Sequence, residues 1–136
     1  MKKIYALLAV LCLTLGLSAQ VVLTEDFTKI KDSSTTSIAK RINDYTQDSG
    51  WTADWVYPCT GKVKIGKSDA FGYIQTPELD LSFNDGRFLV EFDAEAWKGD
   101  SKSINIYMND ELVATVDELE NNGSYGEYKH FSVSLS

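Results

Sequence analysis

The sequence predicts an all-β fold, a two-sheet antiparallel β-sandwich, and three observations carry the prediction. Phe88, Val90, Phe92, Ala94 and Ala96 fall on one side of an extended chain, while Leu89, Glu91, Asp93, Glu95 and Trp97 fall on the other. That two-residue period is the mark of a half-buried strand. Ile104, Ile106 and Met108 alternate in the same way with Asn105, Tyr107 and Asn109, and Leu112–Val116 returns across Asn109-Asp110-Glu111 as the second arm of a hairpin. Finally, about seven or eight short extended segments are separated by turn-forming residues, which suits two facing sheets.

Taken in order, the chain begins with Met1-Lys2-Lys3, an apolar run from Ile4 to Leu17 and a small-residue exit at Ser18-Ala19. This is the build of a secretory signal peptide, and the run is too short and lacks the flanking charges of a retained membrane span. Residues 1–19 are therefore expected to be a leader and residues 20–136 one β-sandwich module, exported as a secreted or cell-surface protein. Cys12 follows Leu11 where a lipid-attachment signal wants a small residue, which argues against lipidation.

Val21–Phe27 is the first expected strand, and Thr28–Gly50 is expected to be a long polar surface connection, with at most a short helix over Ser37–Tyr45. Gly50-Trp51 opens an aromatic passage containing Trp55 and Tyr57, followed by a short strand at Lys62–Ile65. Gly72–Ser82 is expected to form a strand, a bend at Thr76-Pro77 and a second extended piece carrying Leu79 and Leu81. Lys98–Ser101 reads as a turn and Glu118–Gly126 as a loop. Tyr128–Leu135 closes with Phe131, Val133 and Leu135 on one face.

The composition narrows the class of partner. The formal charge is −7, and −9 once Lys2 and Lys3 leave with the leader. Such a chain repels nucleic-acid phosphates and anionic headgroups, no basic cluster stands out, and neutral or cationic partners are favoured. Cys59 alone remains after processing, so no disulfide forms within the chain. His130 is the sole histidine, and no nucleophile motif, zinc motif or nucleotide-binding loop is present. The carboxylate pairs Glu91 with Glu95 and Asp93 with Glu95 have glycosidase-like proximity in sequence, against a default of solvated strand acids. The chain is read as not an enzyme.

The succession TEDF near Gln20, Gly50-Trp51, Val56-Tyr57, KIG at Lys64–Gly66, GYIQTPELDLS at Gly72–Ser82, FLVEFDAEAW at Phe88–Trp97 and INIYMND at Ile104–Asp110 resembles the choice-of-anchor J and cleaved-adhesin group. These modules occur in Bacteroidetes surface and secreted proteins and share MAM-like architecture. The resemblance implies a jelly-roll module within a larger multidomain protein, noncatalytic, and binding a glycan or a surface protein. The aromatic, Asp-rich closing segment of the group is not found before Ser136, so the module is expected to be incomplete at its C-terminus and to lack its closing strands, leaving a sheet edge open.

The resemblance also implies a structural Ca²⁺ against the first strand, with Glu25 and Asp26 as its ligands and Asp93 as a contributor, because Ca²⁺ takes several hard oxygens. Solvated strand acids are the alternative. For a glycan, Trp97 lies on the outer phase of its strand as a stacking platform, and Asn105, Tyr107 and Asn109 share an equivalent outer phase. The alternative is a Trp97 covered by a loop. Trp55 and Tyr57 are either stacking residues or anchors of their loop, and Trp51 is expected in the core. Carbohydrate binding or adhesion is the leading expectation; a spacer or protein-interaction domain is the alternative.

Overall fold

The structure is a computed structural model, and residues 20–97, 102–117, 119 and 128–136 are described. Its regular elements are strands, with 3-10 turns between some of them and no α-helix among the described residues. The fold is all-β. The strands are β1 (Thr52–Asp54), β2 (Val56–Pro58), β3 (Val63–Ile65), β4 (Tyr73–Gln75), β5 (Phe88–Ala94), β6 (Ile104–Met108), β7 (Glu111–Val116) and β8 (Lys129–Leu135). They pair antiparallel as β1 with β4, β2 with β3, β5 with β8 and β6 with β7. The leader, the turn at Lys98–Ser101 and nearly all of the loop at Glu118–Gly126 lie outside the described residues.

One expected strand does not form. Val21–Phe27 forms no strand. The Glu25 carboxylate accepts the Phe27 N–H at 2.7 Å, Asp26 accepts the Thr28 N–H at 3.0 Å, and Phe27 turns left-handed with φ 54°. Local carboxylates therefore close a turn where a ladder was expected. The second extended piece, through Leu79 and Leu81, is likewise unpaired, and Asp80 accepts from both the N–H and the hydroxyl of Ser82.

The larger surprise is the placement of the core. Ile30, Ile38, Ile42, Trp51 and Val56 form the buried cluster, with Leu23, Phe27, Tyr45, Ala53, Val63 and Ile74 packed around it. Three of those five lie in the segment expected to be a surface connection. Ile38, at the entry to the 3-10 segment Ala39–Asp44, and Ile42 within it are both buried in that cluster. The Ile38 N–H donates to the Val56 carbonyl at 2.8 Å, which ties the connection to β2. Asn43 clamps Trp51, donating to its carbonyl and accepting its N–H, both at 2.9 Å.

The later strands follow the expected alternation. In β5, Phe88, Val90, Phe92 and Ala94 are half-buried while Leu89, Glu91 and Asp93 are exposed, and β8 mirrors this. Phe92 pairs with Phe131 across the ladder, their rings stacked at 5.4 Å. The β6–β7 hairpin turns on Asn109 and Asp110, both left-handed (φ 50° and 65°), which is the two-residue turn that matches strand twist. Its register shifts between Ile106 and Tyr107, leaving a bulge opposite.

Candidate functional site

Strand β2 places Val56 in the core and Tyr57 on the opposite face. Tyr57 is the cross-strand partner of Lys64 on β3, so the two side chains share that face. Trp97, just beyond β5, reaches the same place. The Lys64 ammonium sits 4.7 Å from the Trp97 ring centroid and 5.8 Å from that of Tyr57, both within cation–π range. Beside them Lys67 lies 3.8 Å over the Trp55 ring.

Tyr57, Lys64, Lys67 and Trp97 line an open groove of 680 Å³ together with Ser33, Ser34, Thr35, Pro58 and Cys59. Its hydroxyl rim is fixed: the Ser34 N–H donates to the Pro58 carbonyl at 3.2 Å, and the Ser33 and Thr60 hydroxyls are 3.1 Å apart. Below it, Trp55 takes a left-handed conformation (φ 46°) as the chain passes from the β1–β4 sheet to the β2–β3 sheet. The Trp55 carbonyl accepts the Gly66 N–H at 2.8 Å. Gly72 lies against that junction, where a Cβ would be 2.5 Å from the Gly66 nitrogen and 2.7 Å from the Trp55 oxygen. Only glycine fits there.

Near the groove, Lys62 lies 5.1 Å from the Tyr128 ring centroid. Its hydrogen bond to Tyr128 holds its pKa above the ordinary lysine value. Lys62, Lys64 and Lys67 thus gather on one side of an acidic chain, where the sequence showed no basic cluster. The signal was present in KVKIGK: Lys62 and Lys64 are two apart and share a strand face.

The structure brings together Trp97, Tyr57 and, through Lys67, Trp55. Trp97 keeps 39% of its surface exposed. The structure does not bring Asn105, Tyr107 and Asn109 into the groove lining. Asn105 accepts the Thr115 hydroxyl at 2.9 Å on the outer face of β6–β7, Tyr107 is exposed there, and Asn109 forms the turn. Trp51 is buried in the core, edge-on to Phe27 at 6.2 Å.

No family model, curated protein or solved structure matches this chain.

Glu25, Asp26 and Asp93 are not gathered either. Glu25 accepts the N–H groups of Phe27 and Gln47, at 2.7 and 2.6 Å, through its two oxygens. Asp26 Oδ1 accepts from Thr28 and from the Gln47 amide, and the Thr28 N–H leads in holding its pKa below the usual carboxylate value. Both acids thereby pin the approach segment to the turn after the 3-10 segment. Asp93 is on β5, paired with His130. Among the described residues no three His, Cys, Asp or Glu side chains are grouped as metal ligands are.

His130 bridges the outer face of the β5–β8 ladder, with Nδ1 2.7 Å from Asp93 and Nε2 3.5 Å from Glu91. The hydrogen bond to Asp93, then that to Glu91, raises its pKa above 6.5. The two acids named as a glycosidase-like possibility with Glu95 are thus engaged on an exposed sheet face, away from the groove lining.

Proposed function

We propose that the chain is a noncatalytic, secreted carbohydrate-binding or adhesive module of jelly-roll type, and that it holds its ligand in the groove between β2–β3 and Trp97. The observation that carries this reading is the meeting of Trp97 and Tyr57 around Lys64, with Trp55 alongside and serine and threonine hydroxyls on the rim. Aromatic faces take the apolar side of a sugar ring, and hydroxyls and ammonium groups take its oxygens. The volume suits a small-molecule cleft, whose common range is about 300–1,000 Å³. The two-sheet jelly-roll sandwich and the secreted location are parts of the same proposal, supported by the strand pattern and the leader-like N-terminus.

A glycan array followed by titration of its best hit tests this. Trp97→Ala and Tyr57→Ala are each expected to weaken binding about tenfold or more, equivalent to ~1.4 kcal/mol. Binding that survives both substitutions would move the site elsewhere.

A second reading has its own observation. Tyr107 and Leu112 are cross-strand partners on the β6–β7 hairpin, 59% and 54% exposed, and form an outward apolar pair suited to a protein partner. A protein-interaction or spacer role predicts no glycan hits and a protein partner whose binding Tyr107→Ser abolishes.

A further inference from the structure

We infer that the groove selects an anionic sugar, one bearing a carboxylate or a sulfate, with the Lys64 ammonium as its charge partner; this rests on the glycan-binding reading above. The groove lining contains two lysines and no carboxylate, in a chain whose formal charge is −7. Lys67 already has a counter-ion, Asp69, at 3.0 Å. Lys64 has none among the described residues. Lys64 is half-buried, and its ammonium lies within cation–π range of two rings, which favour a cation but accept no ordinary hydrogen bond from its N–H groups.

A cation without a counter-ion beside stacking surfaces gains most from an anion delivered on an apolar ring. A bare anion would lack the ring contact, and a neutral sugar would leave the charge unanswered. Tyr57, Trp97 and the hydroxyls of Ser33, Ser34 and Thr35 supply the rest of the contact. The acidic remainder of the molecule repels long polyanions, so a preference for a short acidic sugar has to come from the groove itself.

The test is calorimetric titration of the whole chain with trigalacturonic acid against its methyl ester, and with N-acetylglucosamine 6-sulfate against N-acetylglucosamine. The carboxylate and sulfate arms separate the two sources of charge. At least one anionic form is expected to bind tenfold or more tighter than its uncharged counterpart. Lys64→Gln should erase that difference, Lys64→Arg should keep it, and Lys40→Gln, on the exposed 3-10 segment, should leave it unchanged. Equal affinity for charged and uncharged forms, or equal loss in Lys40→Gln, would overturn the inference. So would no binding of any of the four sugars, and the glycan reading would then stand only on neutral array hits that Trp97→Ala abolishes.

Discussion

Between Leu23 and Ile74, strands of three residues each surround a sealed cluster of Ile30, Ile38, Ile42, Trp51 and Val56. From Phe88 to Leu135, longer ladders carry an apolar face that is only half-covered among the described residues. Ladder length and core burial are therefore separate properties here. The first region is held by packing and by side chains that bond to backbone, the second mainly by strand pairing and cross-strand contacts. The groove uses both: its floor, Tyr57 and Lys64, belongs to the packed region, and Trp97 comes from the end of β5.

Substitutions in the two regions should separate them by size of effect. Ile42→Ala should cost about 2–5 kcal/mol, as a fully buried isoleucine does, whereas Val90→Ala on β5 should cost roughly 1 kcal/mol. Denaturant unfolding of both variants measures the gap, and equal losses would erase the distinction. Gly72→Ala forces a Cβ against backbone at the sheet junction, and about 1–3 kcal/mol of destabilisation is expected, with the groove loosened as well. A thermal melt together with sugar titration would read both effects.

Asn43→Ala removes two hydrogen bonds to Trp51, each worth about 0.5–1.5 kcal/mol, and should lower stability accordingly. Asn43→Asp, which keeps the acceptor and loses the donor, should fall between the variant and the parent. An unchanged melting temperature in Asn43→Ala would mean the clamp is not what seats Trp51.

The smallest expected effect lies on the outer face of β5–β8. His130 has a raised pKa, so its contribution to stability is complete below about pH 6.5, the unfolded value, and is lost as pH rises through the higher folded value. An NMR titration should place the His130 midpoint above 6.5, and Asp93→Asn should bring it down. A midpoint indifferent to Asp93→Asn would mean that Asp93 does not hold the His130 ring.

Much of this architecture was legible in the residues. Strict alternation from Phe88 to Ala94, from Ile104 to Met108 and from Lys129 to Leu135 identified strands, and Asn109-Asp110 identified the hairpin, because strand period and turn chemistry are local. Burial is not local. Ile30, Ile38 and Ile42 are scattered among Ser, Thr, Asp and Lys, and their common fate depends on hydrogen bonds from Ile38 to Val56 and from Asn43 to Trp51, which no period displays. Val21–Phe27 shows the reverse failure. Its apolar alternation suggested a strand, but Glu25 and Asp26 accept from the backbone beside them and turn the chain. At the groove, Trp97, Tyr57 and Trp55 stood out by residue type, and KVKIGK carried the lysine spacing, but only the β2–β3 register sets Lys64 beside Tyr57.

Lys64 meets a ring from each region, Tyr57 and Trp97, and the ring-current shift of its ε-methylene protons reads that meeting. A marked upfield shift is expected in the parent chain, reduced in Tyr57→Leu and nearly abolished in Trp97→Leu. A Lys64 resonance at the ordinary lysine position, unmoved by either substitution, would contradict it.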